Sequence, residues 1–191
     1  DLEVVGDGTL WACNQTDDTV VHLSTEGAEL GRFQVPAMPG GLAVLSDGSL
    51  LVCLWGGDTE VQQVFHVTPT GTVLGKFGTP GGGRGTGQMY YPHDAVQLPD
   101  GLVLISDAEN GRFIAFRLDG SVAWTTTRSW YLPGRMAWTS SGTLFVTDGF
   151  HNVSRELRYG AAAPARAALT ARFDTPERQV RAGGTATFQL A

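Results

Sequence analysis

The sequence predicts an all-β protein, and more narrowly a segment of a β-propeller, because its turns are frequent and regularly spaced. The 191 residues include 26 glycines, and apolar residues show only weak helical periodicity, which favours short strands joined by tight turns. The turns Asp7-Gly8, Asp47-Gly48, Asp100-Gly101 and Ser141-Gly142 place successive glycines 40, 53 and 41 residues apart. A period of this length is typical of folds that repeat one supersecondary unit.

Each unit contains the same elements in the same order. An apolar strand follows each of these turns, reading "TLWAC", "SLLVC", "LVLIS" and "TLFVT", and a second turn follows 18 to 23 residues after the first. In the third unit we predict strands at Asp94–Leu98, Leu102–Ser106, Arg112–Leu118 and Ser121–Thr126. Four antiparallel strands make one propeller blade. A β-sandwich is the alternative, but it would not repeat these elements in register four times.

The repeat predicts the division of the chain. We expect blades at approximately residues 1–33, 34–89, 90–129 and 130–160, and an Ala-rich linker or last strand at 161–174. The long spacing between the second and third units comes from "FGTPGGGRGTGQMYYP", a glycine-rich loop between blades. Residues 175–191 contain "VRAGGTATFQLA", which resembles the opening hairpin of an immunoglobulin-like domain.

The third unit resembles a known repeat. The stretch "KFGTPGGGRGTGQMYYPHDAVQLPDGLVLISDAENGRFIAFRLDG" is similar to an NHL repeat, and "LPGRMAWTSSGTLFVTDGFHNVSRELRYG" fits the same pattern. The first two units fit more loosely, because Asn14 and Leu54 stand where Asp107 and Asp148 end the strand. The resemblance covers about residues 1–160 and implies a propeller of four-stranded blades.

Within that superfamily the chain most resembles the peptidyl-α-hydroxyglycine α-amidating lyase propeller. Pro92-His93-Asp94 resembles a zinc-ligand corner of that family, which implies that His93 is a metal ligand. Glu109-Asn110-Gly111-Arg112 resembles a loop whose arginine binds the substrate carboxylate, which implies a binding role for Arg112. Phe150 stands where the lyase has a tyrosine, so the hydroxyl that the lyase uses is missing.

The other corners depart from the lyase pattern. A catalytic zinc needs about three protein ligands at one point, whereas Pro39-Gly40-Gly41 and Pro133-Gly134-Arg135 offer none. Calcium needs several oxygen ligands, for which Asp94, Asp107 and Asp148 are candidates, although such strand-ending aspartates usually hold turns. We therefore assign no catalytic residue and expect no cofactor, with zinc and calcium as the ions to consider.

Charge and sequence motifs bear on partners and compartment. The net charge is −6, from 13 basic and 19 acidic residues, and no basic cluster is present, which argues against nucleic acid as a partner. No apolar run is long enough for a membrane span. Two of the three asparagines lie in sequons, and we predict glycosylation at Asn14 and Asn152. Cys13 and Cys53 occupy equivalent places, where we expect buried thiols, with a disulfide left open.

These observations favour a non-catalytic propeller segment of a large extracellular or cell-surface protein with several domains. Such a segment would act as a structural and interaction scaffold whose partners are other protein chains or further domains of the same protein. One alternative is an amidating-lyase-like, metal-dependent enzyme with the rest of its site outside this chain. The other is a ligand-binding sensor that uses the mouth of the channel.

Overall fold

The computed structural model confirms an all-β chain built from antiparallel sheets. The structure describes residues 1–56, 61–126, 130–139, 143–149, 151–160, 168–173 and 185–188, and for 158–160, 168–173 and 185–188 it describes the backbone alone. Within these ranges the strands form four sheets, and each sheet uses its strands in chain order. No helix in the described ranges is long and apolar enough to cross a membrane.

The sheets follow one another along the chain as meanders. The first contains β1 (Leu2–Val4), β2 (Leu10–Asn14), β3 (Thr19–Leu23) and β4 (Glu29–Gln34). The second contains β5 (Pro39–Val44), β6 (Leu50–Trp55), β7 (Gln62–Val67) and β8 (Val73–Phe77). The third contains β9 (Pro92–Gln97), β10 (Val103–Asp107), β11 (Arg112–Phe116) and β12 (Val122–Thr125). The fourth contains β13 (Pro133–Trp138), β14 (Thr143–Asp148), β15 (Val153–Gly160), β16 (Ala168–Phe173) and β17 (Thr185–Phe188).

The predicted strands of the third unit agree with the observed ones to within two residues. The Asp100-Gly101 turn forms as expected, because Gly101 takes φ 86° and its N–H donates to Leu98 O at 2.9 Å. A positive φ of this size favours glycine, which has no Cβ. The third strand ends at Phe116 rather than Leu118, because the next turn already begins at Arg117, whose carbonyl accepts from Gly120 N.

Three layers of apolar side chains hold neighbouring sheets together. Alternate residues of a strand face opposite sides of the sheet. The second and third sheets therefore each contribute one set of side chains to the sheet before and one set to the sheet after. The layer between the first and second sheets includes Trp11, Val20, Phe33, Leu42 and Val52. The layer between the second and third includes Leu51, Phe77, Ile105 and Phe116. The layer between the third and fourth includes Leu104, Phe113, Trp130, Met136 and Leu157. The sheets therefore stack face to face in chain order.

The end of the chain extends the fourth sheet. Strand β16 pairs with β15, and β17 pairs with β16 from Leu169↔Phe188 to Arg172↔Thr185. Part of the Ala-rich segment at 161–174 is thus a strand. The remaining residues of the predicted immunoglobulin-like start lie outside the described ranges, so that assignment stays a prediction. The predicted turn Ser141-Gly142 also lies outside them.

The two cysteines are free thiols in different apolar layers. Cys13 is partly buried against the second sheet, and Cys53 is fully buried between the second and third sheets. Burial raises the pKa of Cys13 to about 11 and raises the pKa of Cys53 well above its ordinary value, so both thiols stay protonated. Cys53 is thus buried as expected, whereas Cys13 is only partly buried.

Candidate functional site

The first strands of the four sheets are β1, β5, β9 and β13; they lie beside one another, and we call them the inner strands. We call the end of the molecule at which these strands start the corner end. Pro39, Pro92 and Pro133 begin β5, β9 and β13, and they pair with Leu54, Asp107 and Asp148 respectively. The residues two positions after each proline are therefore structurally equivalent. They are Gly41, Asp94 and Arg135, and Asp1 holds the same place before β1.

A carboxylate joins neighbouring sheets at two of these positions. Asp94 is 4% exposed, and its Oδ2 accepts a 2.7 Å hydrogen bond from the backbone N–H of Met136 in the fourth sheet. Asp1 Oδ2 accepts the equivalent bond from Leu42 N in the second sheet at 2.8 Å. Each bond satisfies a main-chain donor that the sheet ladder leaves free. The conspicuous Asp94 thus connects two sheets.

The contact between the second and third sheets is different, because Gly41 has no side chain to offer. The equivalent donor, Ala95 N, is satisfied by Asp94 Oδ1 from its own strand at 2.8 Å. The main chains approach closely here, since a Cβ on Gly41 would lie 2.3 Å from the carbonyl oxygen of His93. Asp94 therefore accepts one donor from the fourth sheet and one from its own strand.

Burial also sets the protonation of Asp94. Removal from water raises the pKa of this carboxyl to about 7, although the Met136 and Ala95 N–H groups and the charge of Arg135 lower it. The rise follows because a carboxylate loses more solvation than a neutral acid does. Asp94 consequently titrates near neutral pH.

Arg135 reaches from the fourth sheet across the corner end. One guanidinium nitrogen donates to the carbonyl oxygen of Gly40 at 2.9 Å, and another forms an ion pair with Asp1. The side chain links the fourth sheet to the second and to the residue preceding β1. Its donors are thereby directed at the protein itself.

His93 lies in an aromatic pocket beside these charges. Its ring stacks on Trp55, with centroids 5.5 Å apart and planes inclined by 29°. Burial, and secondarily the positive charge of Arg135, lowers the pKa of His93 to about 4, so the ring is neutral at physiological pH. Among the described residues, His93 Nδ1 and Trp55 Nε1 have no hydrogen-bond partner. Gly40 leaves the space that the Trp55 ring fills, since a Cβ there would overlap it.

The other histidines lie elsewhere. His22 stacks on Trp11 and bonds Thr9, and His66 bonds Ser49 at 2.7 Å. His151 contacts Asp148 after β14. In the described part of the chain, no group of three His, Cys, Asp or Glu side chains is placed to hold a metal ion. The role of His93 as a metal ligand stays a prediction.

Arg112 clamps the glycine-rich loop. Its Nε donates to the fully buried Asp107 at 2.7 Å, and its terminal nitrogens donate to the carbonyl oxygens of Arg84, Gly85 and Gln88. Asp107 also accepts from Tyr90 N at 2.7 Å. A substrate carboxylate would have to displace these bonds, and the predicted binding role of Arg112 stays a prediction.

Asp148 ends β14 as Asp107 ends β10. It accepts from Leu132 N at 3.2 Å and pairs with His151 and Arg155, each at 3.0 Å. The carboxylates of Asp94, Asp107 and Asp148 therefore each accept hydrogen bonds from neighbouring groups of the protein. The neighbouring Phe150, which stands at the lyase tyrosine position, lies outside the described residues.

The two sequon asparagines differ in environment. Asn14 is partly buried, its Nδ2 donates to Asp17 Oδ2 at 2.9 Å, and its Oδ1 accepts from Thr16 N at 3.1 Å. Asn152 is exposed, with φ 52°, in the turn between β14 and β15. A glycan at Asn152 would be carried by an exposed residue, whereas the Nδ2 that would carry one at Asn14 also donates to Asp17. Both glycosylation sites stay predictions.

A cavity of about 400 Å³ lies toward the other ends of the inner strands. Its volume falls in the range typical of ligand pockets, roughly 300–1,000 Å³. Sequence reasoning missed it, although one signal was present: Glu3 is a charged residue where the other units have Ala43, Val96 and Ala137. Its lining residues are Glu3, Ala43, Val44, Leu45, Ser46, Val96, Gln97, Met136, Ala137 and Trp138.

Comparison with known proteins identifies the fold. No family model matches the chain, and no curated protein matches it. A virginiamycin B lyase from Staphylococcus aureus matches with a TM-score of 0.63 and 13% identity, over 89% of this chain and 61% of that one. The WD40 β-propeller domain of Doa1 matches with a TM-score of 0.59 and 18% identity, over 82% and 49%. A gluconolactonase from Xanthomonas campestris matches with a TM-score of 0.58 and 20% identity, over 78% and 53%.

These likenesses show a β-propeller fold and nothing finer, because identities of this size do not carry function. The chain spans about three fifths of the length of the first solved structures it matches. The NHL and amidating-lyase assignments stay predictions.

Proposed function

We propose that this chain is a non-catalytic propeller segment that serves as a structural and interaction scaffold in a larger, multidomain protein. The observation that carries the proposal is the use of its buried and partly buried charged side chains, which bind other parts of the protein. Asp94 joins sheets, Arg135 spans the corner end, and Arg112 holds a loop. A catalytic group must instead be directed at a substrate.

We further propose an extracellular or cell-surface location, supported by the sequons. Its partners would be other chains or further domains of the same protein. Mass spectrometry of the protein from its native host tests this directly, with a glycan expected at the exposed Asn152. A fully unmodified Asn152 in that preparation would contradict the location.

The alternative is a metal-dependent enzyme whose other ligands lie outside this chain. Its support is His93, a neutral ring with a buried nitrogen that lacks a partner in the described part of the chain. A lyase and a gluconolactonase are among the structural neighbours, which makes hydrolytic or lyase chemistry the activity to test.

Metal analysis of the purified full-length protein separates the two functions. The scaffold proposal predicts less than stoichiometric zinc and calcium, and no change on His93→Ala. His151→Ala is the matched control, because that histidine lies in a turn and not in the aromatic pocket. Stoichiometric zinc that His93→Ala removes and His151→Ala retains would overturn the scaffold proposal in favour of the enzyme.

A further inference from the structure

The cavity lies at the opposite end of the inner strands from His93. Its walls include Val44 near the end of β5, Gln97 at the end of β9 and Trp138 at the end of β13. His93 is four residues before Gln97, which at about 3.3 Å per residue separates the two by roughly 13 Å along the strand. The cavity is therefore a separate feature from the corner end.

Among the residues that the structure describes, Glu3 is the one charged residue in the cavity lining. Its carboxylate makes no hydrogen bond or ion pair within the described ranges of the chain. Arg135 is the cation whose field reaches it, but that guanidinium donates to Gly40 O and pairs with Asp1. Partial burial removes solvation from this carboxyl and raises its pKa, although water still reaches its oxygens, and a ligand cation would restore part of the lost stabilisation.

The remaining walls suit the stem of a basic side chain. Ala43, Val44 and Val96 supply apolar surface, and Trp138 supplies an indole ring. The ring is held in place, because its Nε1 donates to the backbone oxygen of Gln97 at 3.1 Å. Aromatic rings beside a carboxylate are favourable for ammonium and guanidinium groups.

Acidic turns surround this end of the molecule. Asp7, Asp47 and Asp100 lie in the turns that follow β1, β5 and β9, and Asp119 lies in the turn before β12. Hydrogen bonds from turn donors lower the pKa of Asp7, Asp47 and Asp119. Asp7, Asp47 and Asp119 therefore stay ionised, and their combined field favours cations at this end of the molecule, although Arg117 lies beside Asp119.

We propose that this cavity binds a lysine or arginine side chain of a polypeptide partner, with the cationic group at Glu3 and its aliphatic stem along Ala43 and Val96. The spread of acidic turns favours a polypeptide over a small free amine, because the turns extend beyond the cavity that an amine would fill. The inference specifies the partner chemistry of the interaction role proposed above and rests on that role.

Nuclear magnetic resonance titration of the full chain, labelled with ¹⁵N, tests the proposal. The probes are acetyl-Gly-Gly-Lys-Gly-Gly-amide, the same peptide with norleucine for lysine, and free butylamine. We expect saturable shifts of the Trp138 indole N–H and of the backbone at Ala43–Ser46 with the lysine peptide alone. A charge-assisted hydrogen bond of ordinary strength predicts that Glu3→Gln raises the dissociation constant about tenfold or more.

Two further variants make the test specific. Glu109→Gln makes the same substitution at the corner end, where Glu109 is exposed, and should change the dissociation constant less than twofold. Ala43→Leu fills part of the cavity without altering charge and should weaken binding even if Glu3→Gln fails to fold.

Three results would overturn the proposal. They are the absence of saturable shifts at millimolar peptide, equal binding of the norleucine peptide, and equal binding by Ala43→Leu. Butylamine binding as tight as that of the lysine peptide would replace the polypeptide partner with a small amine. None of these results alters the metal analysis, so the scaffold proposal stands or falls separately.

Discussion

The contact between the second and third sheets differs from the contacts on either side of it. At the outer two, a carboxylate crosses from one sheet to a main-chain N–H of the next, from Asp1 to Leu42 and from Asp94 to Met136. At the middle one, Gly41 lets the backbones meet, and a Cβ would lie 2.3 Å from His93 O. One structural position thus joins sheets either by a hydrogen bond or by close main-chain packing.

The difference teaches that the buried donor must be satisfied whichever way the sheets are joined. With no carboxylate at Gly41, Ala95 N turns to Asp94 Oδ1 in its own strand. Asp94 therefore compensates for the glycine on one side while it joins the fourth sheet on the other. This double use explains why the aspartate is almost fully buried despite its charge.

The largest predicted effect comes from closing the glycine contact. Gly41→Ala should lower the free energy of unfolding by about 3 kcal/mol, because the overlap is with main-chain atoms that no rotamer change can relieve. Urea denaturation measures it. Gly31→Ala in β4 is the control, since nothing lies within 4 Å of the new Cβ, and a matching loss in both variants would contradict the close-contact explanation.

Removing the carboxylate should have the next largest effect. Asp94→Ala leaves Met136 N and Ala95 N without their acceptor. We expect the free energy of unfolding to fall by about 2 kcal/mol, because each unpaired buried donor costs roughly 1–3 kcal/mol and the cost is smaller where water can reach the donor. Asp94→Asn keeps one acceptor oxygen and should lose about half as much. Equal stability of the Ala variant and the wild type in urea would show that the carboxylate does not hold the sheets.

The third prediction concerns the pH dependence of His93 and Asp94. Asp94, with its pKa raised to about 7, contributes stability that is fully present below its unfolded value of 3.8 and lost as pH rises through 7. His93, with its pKa lowered to about 4, contributes stability that is present above 6.5 and lost as pH falls toward 4. Between pH 4 and 6.5 the two contributions oppose each other.

Single variants should separate the two opposed dependences of stability on pH. In His93→Gln, stability should fall with rising pH between about 4 and 7, by at most about 1.4 kcal/mol per pH unit, the limit for one proton. In Asp94→Asn, it should fall as pH decreases from 6.5 to 4. Denaturation midpoints measured across that range check both, and parallel pH profiles for the two variants would refute the assignment.

The smallest effect is expected at the partly exposed cross-link. Arg135→Met removes the bond to Gly40 O and the ion pair with Asp1 while it keeps the aliphatic stem. Since Arg135 is about a third exposed and solvent screens its charge, we expect a loss of about 1 kcal/mol or less. Thermal denaturation at low and high salt measures it, and a loss larger than that of Asp94→Ala would invert the proposed ranking of contacts.

Much of the fold could be predicted from the sequence because it depends on local chemistry. Gly101 fixes its turn through positive φ, and the short apolar run that opens Val103–Asp107 indicates a buried strand. The candidate site could be predicted only in part from the sequence. His93 and Arg112 were singled out by resemblance, but only coordinates could show that Arg112 is held by the carbonyls of a loop 24 to 28 residues away.

The sequence by itself determined the repeat, the turns and the all-β fold class, because each follows from residues close together in the chain. The tertiary structure decided which distant donor each charged side chain meets. Asp94 binds a residue 42 positions away and Arg135 one 95 positions away, and Glu3 lines a cavity whose walls come from all four sheets. Such long-range pairings depend on how the sheets stack, which no local pattern encodes.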